Sequence, residues 1–138
     1  MEKMLIANAR ILDPSCEPPV DFIGDILIEG DRIIKVGSNL AQTKIAQGAQ
    51  HIDASGLCAA PGFLDIHVHL RDPGFTHKED IITGCKAAAA GGVTGVCCMP
   101  NTKPVTDSEE VLSYILDKAK DADARVYPIA AITKGMLG

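Results

Sequence analysis

The second half of the chain alternates between strand-like and helical segments, and this order limits the fold more than any other feature. Apolar runs over residues 63–70, 93–99 and 125–132 have the length and β-branched content of strands. Apolar residues at helical spacing lie between them, over residues 77–90 and up to about residue 121. The order strand, helix, strand, helix, strand predicts an α/β fold with parallel strands and helices packed against the sheet.

The first part of the chain has a different pattern. Residues 4–12 predict a strand, and residues 25–29 and 32–36 flank Gly30-Asp31, which is typical of a hairpin with a primed turn. Short strands are predicted at residues 51–53 and 57–60. We therefore expect a small antiparallel β unit over residues 1–60, and a strand–helix series over residues 61–138 that begins at Pro61-Gly62.

Local signals predict where the two helices begin and end. Thr76 and Thr106 are each followed three residues later by Glu, which is the pattern of a capping box with Thr as the N-cap. Gly91-Gly92 predicts the end of the first helix.

Two histidines lie in the first strand of the strand–helix series. His67 and His69 are separated by one residue, so both side chains project from one face of the strand, together with Asp65. Imidazole is a good ligand for zinc. We expect this apolar strand to be buried on both faces, and it ends directly in a polar turn, where parallel α/β folds place their sites. The alternative is a pair of buried, hydrogen-bonded histidines. We expect His51 and His77 to be structural.

Two more polar residues follow the ends of predicted strands. Arg71 comes after the first strand, and its guanidinium can hold a carboxylate through two parallel hydrogen bonds. The alternative is a salt bridge to Asp72 or Glu79. Asn101 follows the second strand between two prolines, where its amide can donate to an anion or simply form a turn.

Composition argues against several other classes of function. The net charge is −5 with both signs interspersed, aromatic residues make up 4%, and Trp is absent, so we expect neither nucleic-acid nor membrane binding. The five cysteines are odd in number and match no zinc-finger spacing. Adjacent Cys97 and Cys98 should face opposite sides of a strand. Free thiols and the lack of a signal-peptide pattern favour the cytoplasm.

Two blocks of sequence point to a known family. Residues 65–74, Asp-Ile-His-Val-His-Leu-Arg-Asp-Pro-Gly, resemble the metal-binding signature of dihydroorotases, within the cyclic-amide hydrolases of the amidohydrolase superfamily. Residues 92–102 resemble the next strand of that family and its substrate-binding Asn. The resemblance runs through essentially the whole chain. It implies the N-terminal part of a (β/α)8 TIM-like barrel preceded by a small antiparallel β-sandwich segment.

The resemblance also implies an activity and roles for individual residues. The activity is the reversible, metal-dependent cyclisation of N-carbamoyl-L-aspartate to L-dihydroorotate in pyrimidine biosynthesis. The metal is zinc, binuclear in the complete enzyme, with His67 and His69 as ligands. The substrate-binding residues are His69, Arg71 and Asn101. The catalytic acid–base and the other ligands are expected in a C-terminal part that is missing here, and none in this chain.

The length of the chain bears on what it can do alone. A (β/α)8 barrel needs about 200 residues or more, and the chain has 138. We expect a fragment that is inactive by itself and that needs the barrel remainder or another copy of the chain, as a homo-oligomer. Two alternatives stay open. One is a hydantoinase- or allantoinase-like cyclic amidohydrolase, which Arg71 argues against; the other is a non-catalytic assembly fragment.

Overall fold

The computed structural model describes residues 2–138, so Met1, the first residue of the predicted first domain, lies outside the described residues. The chain divides into two compact units, one that ends at Pro61 and one that covers Gly62–Gly138. Each unit has its own sheet.

The first unit is a five-stranded sheet. Its strands are β1 (Lys3–Asp13), β2 (Val20–Glu29), β3 (Arg32–Gly37), β4 (Gln50–Asp53) and β5 (Cys58–Ala59). The spatial order is β3-β2-β1-β4, and β5 also pairs with β1. The predicted hairpin joins β2 and β3, and Gly30 takes a positive φ of 61° in its turn. Two short 3₁₀ turns, Leu40–Gln42 and Lys44–Ala46, lie between β3 and β4.

The prediction of an antiparallel unit is wrong for two of the five strands. The pairs β1–β2 and β2–β3 are antiparallel, but β4 and β5 both pair with β1 in parallel. The physical reason is the connection over residues 38–49. It is long enough to cross the sheet and return the chain to the end at which β1 starts, so that β4 runs in the same direction as β1. A tight hairpin would instead reverse the direction of the chain.

The second unit has the predicted alternation of strands and helices. Its elements are β6 (Phe63–Val68), α1 (Ile81–Ala90), β7 (Val93–Cys98), α2 (Glu109–Lys118) and β8 (Arg125–Pro128). The strands are parallel in the order β6-β7-β8. Short 3₁₀ turns follow α2 and β8 at Ala119–Asp121 and Lys134–Met136. Strand β8 ends four residues earlier than predicted. Neither α-helix in residues 2–138 has the length and apolarity that crossing a membrane requires.

One face of this sheet is packed and the other is open. Both helices contribute to a single core with side chains from one face of the strands: Leu70, Ile81, Cys85, Val96, Cys98, Val111, Ile115, Ala124 and Val126. Strand β6 was expected to be buried on both sides, and this is wrong. Phe63 and Ile66 are 67% and 70% exposed, because β6 has a single neighbour in the sheet and the helices cover only one face. As predicted, Cys98 is buried and Cys97 is more exposed.

The helices begin later than predicted. The N-cap of α1 is Asp80, whose carboxylate accepts hydrogen bonds from two backbone N–H groups of the first turn. The residues from Thr76 onward form turns and not the first turn of a helix. The N-cap of α2 is Ser108. Thr106 is instead buried, with its hydroxyl 3.0 Å from the hydroxyl of Thr102. Helix α1 ends at Gly91, as expected.

Candidate functional site

The two histidine rings lie side by side at the carboxyl end of β6. His67 is in the strand and His69 follows it directly. Their ring centroids are 5.4 Å apart and the ring planes are inclined by 63°. The spacing of two residues along an extended chain produces this proximity. Two imidazoles in such positions can offer nitrogen ligands to the same metal ion.

The site supplies only part of a metal coordination shell. Within residues 2–138 no group of three or more His, Cys, Asp or Glu side chains is placed to hold a metal ion. Zinc takes three protein ligands and a water in catalytic sites, or four protein ligands in structural ones. The residues therefore fit zinc as two of its ligands, with the remaining positions to be filled by other groups.

Strand β6 is irregular between Asp65 and the two histidines. The register between β6 and β7 shifts between Asp65 and Val68, which pair with Val96 and Cys98. Three residues of β6 thus span two residues of β7, and this irregularity interrupts the alternation of side chains. The Asp65 carboxylate accepts a hydrogen bond of 3.0 Å from the backbone N–H of His67. It therefore stabilises the local backbone.

Asn101 is brought directly against the second histidine. Its Oδ1 lies 2.9 Å from Nδ1 of His69, although the two residues are 32 apart in sequence. The ends of their strands are joined by a 2.9 Å hydrogen bond from the N–H of Met99 to the carbonyl of Val68. Parallel strands bring their carboxyl ends to one edge of the sheet, so the two predicted site residues meet there.

The loop that carries Asn101 is held by hydrogen bonds on both sides of it. The carbonyl of Pro100 accepts from the N–H groups of Thr102 at 2.8 Å and Thr106 at 3.0 Å. The Thr102 hydroxyl donates to the carbonyl of Pro104 at 2.6 Å. Both threonines are buried. A site on such a loop is positioned before any ligand arrives.

The loop that carries Arg71 is locked against the Asn101 loop. The N–H of Lys103 donates to the carbonyl of Pro73 at 3.0 Å. Gly74 has a φ of 95°, and a Cβ there would lie 2.1 Å from the carbonyl oxygen of Lys103. Only glycine allows the two backbones to come this close. Arg71 itself takes a left-handed φ of 63° where the chain leaves β6.

The expected rival partners of Arg71 are engaged elsewhere. Asp72 is buried and pairs with Lys118 at 2.6 Å, and it also accepts a hydrogen bond of 3.0 Å from the Tyr114 hydroxyl. Glu79 accepts hydrogen bonds from the Thr83 hydroxyl and from a neighbouring backbone N–H. These contacts leave the guanidinium of Arg71 to other partners.

The buried Asp72 cluster is a feature that the sequence reading missed. In the structure Asp72 joins the β6–α1 loop to two side chains four residues apart on α2, Tyr114 and Lys118. The hydrogen bond to Asp72 raises the pKa of Lys118 above its ordinary value. Burial, with a smaller effect of Asp72, raises the pKa of Tyr114. The sequence signal for this cluster was the spacing of four between Tyr114 and Lys118, which places both on one face of a helix.

The other two histidines lie in different settings. His77 is exposed in a turn that precedes α1, and His51 lies on β4 of the first unit.

Comparisons with known proteins agree on one superfamily. A family model described as "Dihydro-orotase-like" matches residues 56–137. A dihydroorotase of Syntrophotalea carbinolica is 53% identical over 137 residues, which are 99% of this chain and 31% of the relative. A dihydroorotase of Geobacter metallireducens is 49% identical over 136 residues, again 31% of the relative. The chain thus spans about a third of the length of these curated relatives.

Solved structures share the mixed α/β fold. The L-hydantoinase of Arthrobacter aurescens superposes with a TM-score of 0.80 at 21% identity, over 94% of this chain and 28% of that one. The D-hydantoinase of a Thermus species superposes with a TM-score of 0.69 at 30% identity, over 94% of this chain and 27% of that one. The enamidase described as a member of the amidohydrolase superfamily has a TM-score of 0.69 at 25% identity, over 96% and 37% of the two chains.

Proposed function

The chain belongs to the dihydro-orotase-like family, and on that premise we propose that it is the N-terminal part of a dihydroorotase. The reaction is the reversible, metal-dependent cyclisation of N-carbamoyl-L-aspartate to L-dihydroorotate, a step of pyrimidine biosynthesis. The observation that carries the proposal is the cluster at two strand ends in which His69 lies beside the ring of His67 and within hydrogen-bond distance of Asn101.

His67 and His69 are the proposed zinc ligands of this segment. Zinc at such a site supplies Lewis-acid activation of a water molecule and of an amide carbonyl. The family pattern is a binuclear centre whose other ligands come from later strands. The contribution of this chain is to hold two imidazoles 5.4 Å apart on a strand end.

Arg71 and Asn101 are the proposed anchors for the substrate carboxylate, with His69 beside them. The charge and the planar fork of Arg71 suit a carboxylate, and the amide N–H groups of Asn101 add donors. The loops of the two residues are bonded to each other through Pro73 and Lys103. A rigid pair of loops lowers the entropic cost of orienting the amide carbon toward the activated water.

The two units correspond, on this proposal, to parts of larger domains. The first is a segment of a β-sandwich, and the sheet β6-β7-β8 is the beginning of a (β/α)8 barrel. Strand β6 at the edge of that sheet carries large exposed apolar side chains such as Leu64 and Ile66, which are 55% and 70% exposed. Such surface requires a cover. We infer that the chain alone is inactive and that the remaining barrel strands or another copy of the chain covers this surface.

The free cysteines support a location in the cytoplasm. All five cysteines are unpaired in the described structure, and unpaired thiols persist in a reducing compartment.

A hydantoinase-like activity is the second candidate, because hydantoinases are among the structural neighbours. Two observations rank it lower. Relatives that are 53% and 50% identical to this chain over the aligned 137 and 136 residues are named dihydroorotases. Arg71 provides a cation for a ring carboxylate, which a hydantoin lacks.

A chimeric enzyme tests the proposal. Residues 1–137 of this chain replace the matching segment of the Syntrophotalea carbinolica dihydroorotase. We expect the chimera to hydrolyse dihydroorotate, and we expect Arg71→Met to raise KM at least tenfold. Lys103→Met, which removes a cation from the adjacent loop, is the matched control and should leave KM within about twofold. Hydrolysis of hydantoin in preference to dihydroorotate, or an unchanged KM in Arg71→Met, would overturn the assignment.

The isolated chain provides a second test. Size-exclusion chromatography combined with zinc analysis should show association or aggregation and no turnover. A monomeric, metal-loaded and active chain of 138 residues would contradict the inferred need for a cover.

A further inference from the structure

We propose that Asn101 is a positioning residue for the zinc ligand His69, and that its amide links the metal site to the substrate anchor. The first part concerns the histidine and stands on the structure of the chain. The second part, the link to the substrate, rests on the proposed function.

The geometry of the Asn101–His69 contact suits the form of the imidazole that carries its proton on Nδ1. Oδ1 of Asn101 is an acceptor and lies 2.9 Å from Nδ1 of His69. A carbonyl oxygen can bond a ring nitrogen only when that nitrogen carries the proton. On this proposal the proton resides on Nδ1, and Nε2 retains the lone pair that a metal requires. Bonds of this kind to the second ring nitrogen orient metal-ligating histidines in proteins generally.

The placement of Asn101 is rigid enough for this role. The carbonyl of Pro100 accepts two backbone hydrogen bonds from the loop that follows Asn101. The bond from Met99 to Val68 joins the two strand ends immediately before Asn101 and His69. The donor and the acceptor therefore sit on a joined framework, and the ring of His69 is oriented before metal arrives.

His67 provides an internal comparison. Within the described residues, the ring of His69 has a side-chain hydrogen-bond partner and the ring of His67 has none. A change at Asn101 should therefore alter the ring of His69 and leave the ring of His67 as it was.

The Asn101 amide then has two hydrogen-bond partners, the His69 ring and the substrate carboxylate. Its oxygen is committed to His69, and its NH₂ group is left to donate to a substrate carboxylate. Binding of the carboxylate would hold the amide in the orientation that favours the Nδ1–H form of His69. Asn101→Asp separates the two functions, because a carboxylate still accepts from Nδ1–H but has no N–H to offer an anion. Asn101→Leu removes both.

The tautomers can be read directly in the chain of 138 residues. The protein is labelled with ¹⁵N-histidine and kept metal-free at pH 8. Long-range ¹H–¹⁵N spectra distinguish Nδ1–H from Nε2–H, and His69→Gln assigns the signal. Solid-state spectra yield the same information if the chain associates. Zinc is then titrated into each sample. Asn39→Asp in the first unit serves as the control for an added charge.

We expect the wild-type His69 in the Nδ1–H form, and Asn101→Asp to keep both that form and the zinc affinity. Asn101→Leu should move His69 toward Nε2–H and weaken zinc binding about tenfold or more, which is the usual effect of losing an outer-shell partner. In the chimera, Asn101→Asp should raise KM at least tenfold. A wild-type His69 in the Nε2–H form, or unchanged spectra and affinity in Asn101→Leu, would overturn the positioning role. An inactive chimera with the expected spectra would instead refute the proposed function alone.

Discussion

Two lysines two residues apart differ in what their ion pairs contribute to stability. Lys118 pairs with Asp72 at 2.6 Å, and Lys120 pairs with Asp117 at 2.7 Å, so the two distances are nearly equal. The Asp72 side chain is 0% exposed, whereas Asp117 is 71% exposed. Replacing each lysine by Met keeps most of the side-chain volume and removes the charge.

The expected magnitudes follow from the fate of the carboxylate that remains. Removal of one partner from a buried ion pair costs about 3–5 kcal/mol, because the other charge stays buried. The Tyr114 hydroxyl still donates to Asp72, and Lys118 is itself about a third exposed, so we expect the lower end, about 3 kcal/mol. An exposed pair such as Lys120–Asp117 contributes at most about 0.5 kcal/mol.

Urea unfolding followed by circular dichroism measures the difference. With a slope of about 1 kcal/mol per molar urea for a unit of this size, the midpoint for Lys118→Met should fall by about 3 M, or the variant should be unfolded without urea. The Lys120→Met midpoint should move by less than about 0.5 M. Equal shifts for the two variants would refute the argument that burial decides the contribution.

A double variant separates charge from packing. Adding Asp72→Asn to Lys118→Met replaces the buried charge by a neutral amide that still accepts from the Tyr114 hydroxyl. The double variant should be more stable than Lys118→Met by about 1–2 kcal/mol. If it is less stable, then the cost of Lys118→Met comes from lost packing and not from the unpaired carboxylate.

Three further outcomes are expected. Gly74→Ala should lower the free energy of unfolding in urea by more than about 2 kcal/mol, because the positive φ alone costs about 1–2 kcal/mol and the new Cβ would lie 2.1 Å from the Lys103 carbonyl oxygen. Gly48→Ala is the control: its Cβ would have nothing within 4 Å, so it should cost only the about 1–2 kcal/mol of the positive φ. Asp80→Ala should cost about 1 kcal/mol of stability and speed hydrogen exchange in the first turn of α1, since it removes the N-cap. Unchanged exchange would contradict the role of Asp80 as that N-cap. Burial raises the pKa of Cys98 to about 11, so the folded state keeps the proton that the unfolded chain releases near its ordinary value of 9.0. Stability should therefore fall as pH rises from about 9 to 11, and Cys98→Ala should show a weaker decline over that range.

Much of the second unit could be predicted because its signals are periodic and local. The alternation of strands and helices, the opposite settings of Cys97 and Cys98, and the end of α1 at Gly91 all depend on neighbours within a few residues. The proximity of the His67 and His69 rings follows from the same spacing rule. The meeting of Asn101 with the site follows from the parallel order of the strands.

The helix starts illustrate where local signals are insufficient. Two capping boxes matched the consensus, yet the caps are Asp80 and Ser108. Several polar residues precede each helix, and any of them can accept a backbone N–H. Which one does so depends on how the preceding loop packs. Thr106 was unavailable because its hydroxyl is buried against that of Thr102.

The sequence by itself determined the order of strands and helices and the placement of imidazole, guanidinium and amide groups at strand ends. Side-chain alternation and turn chemistry act over a few residues, so a linear reading contains them. Only the tertiary structure decided the register shift between Asp65 and Val68, the parallel pairing of β4 and β5, and the burial of Asp72 beneath α2. Each of these depends on packing and hydrogen bonding between segments that are far apart in the chain. Such contacts produce no local pattern in the sequence.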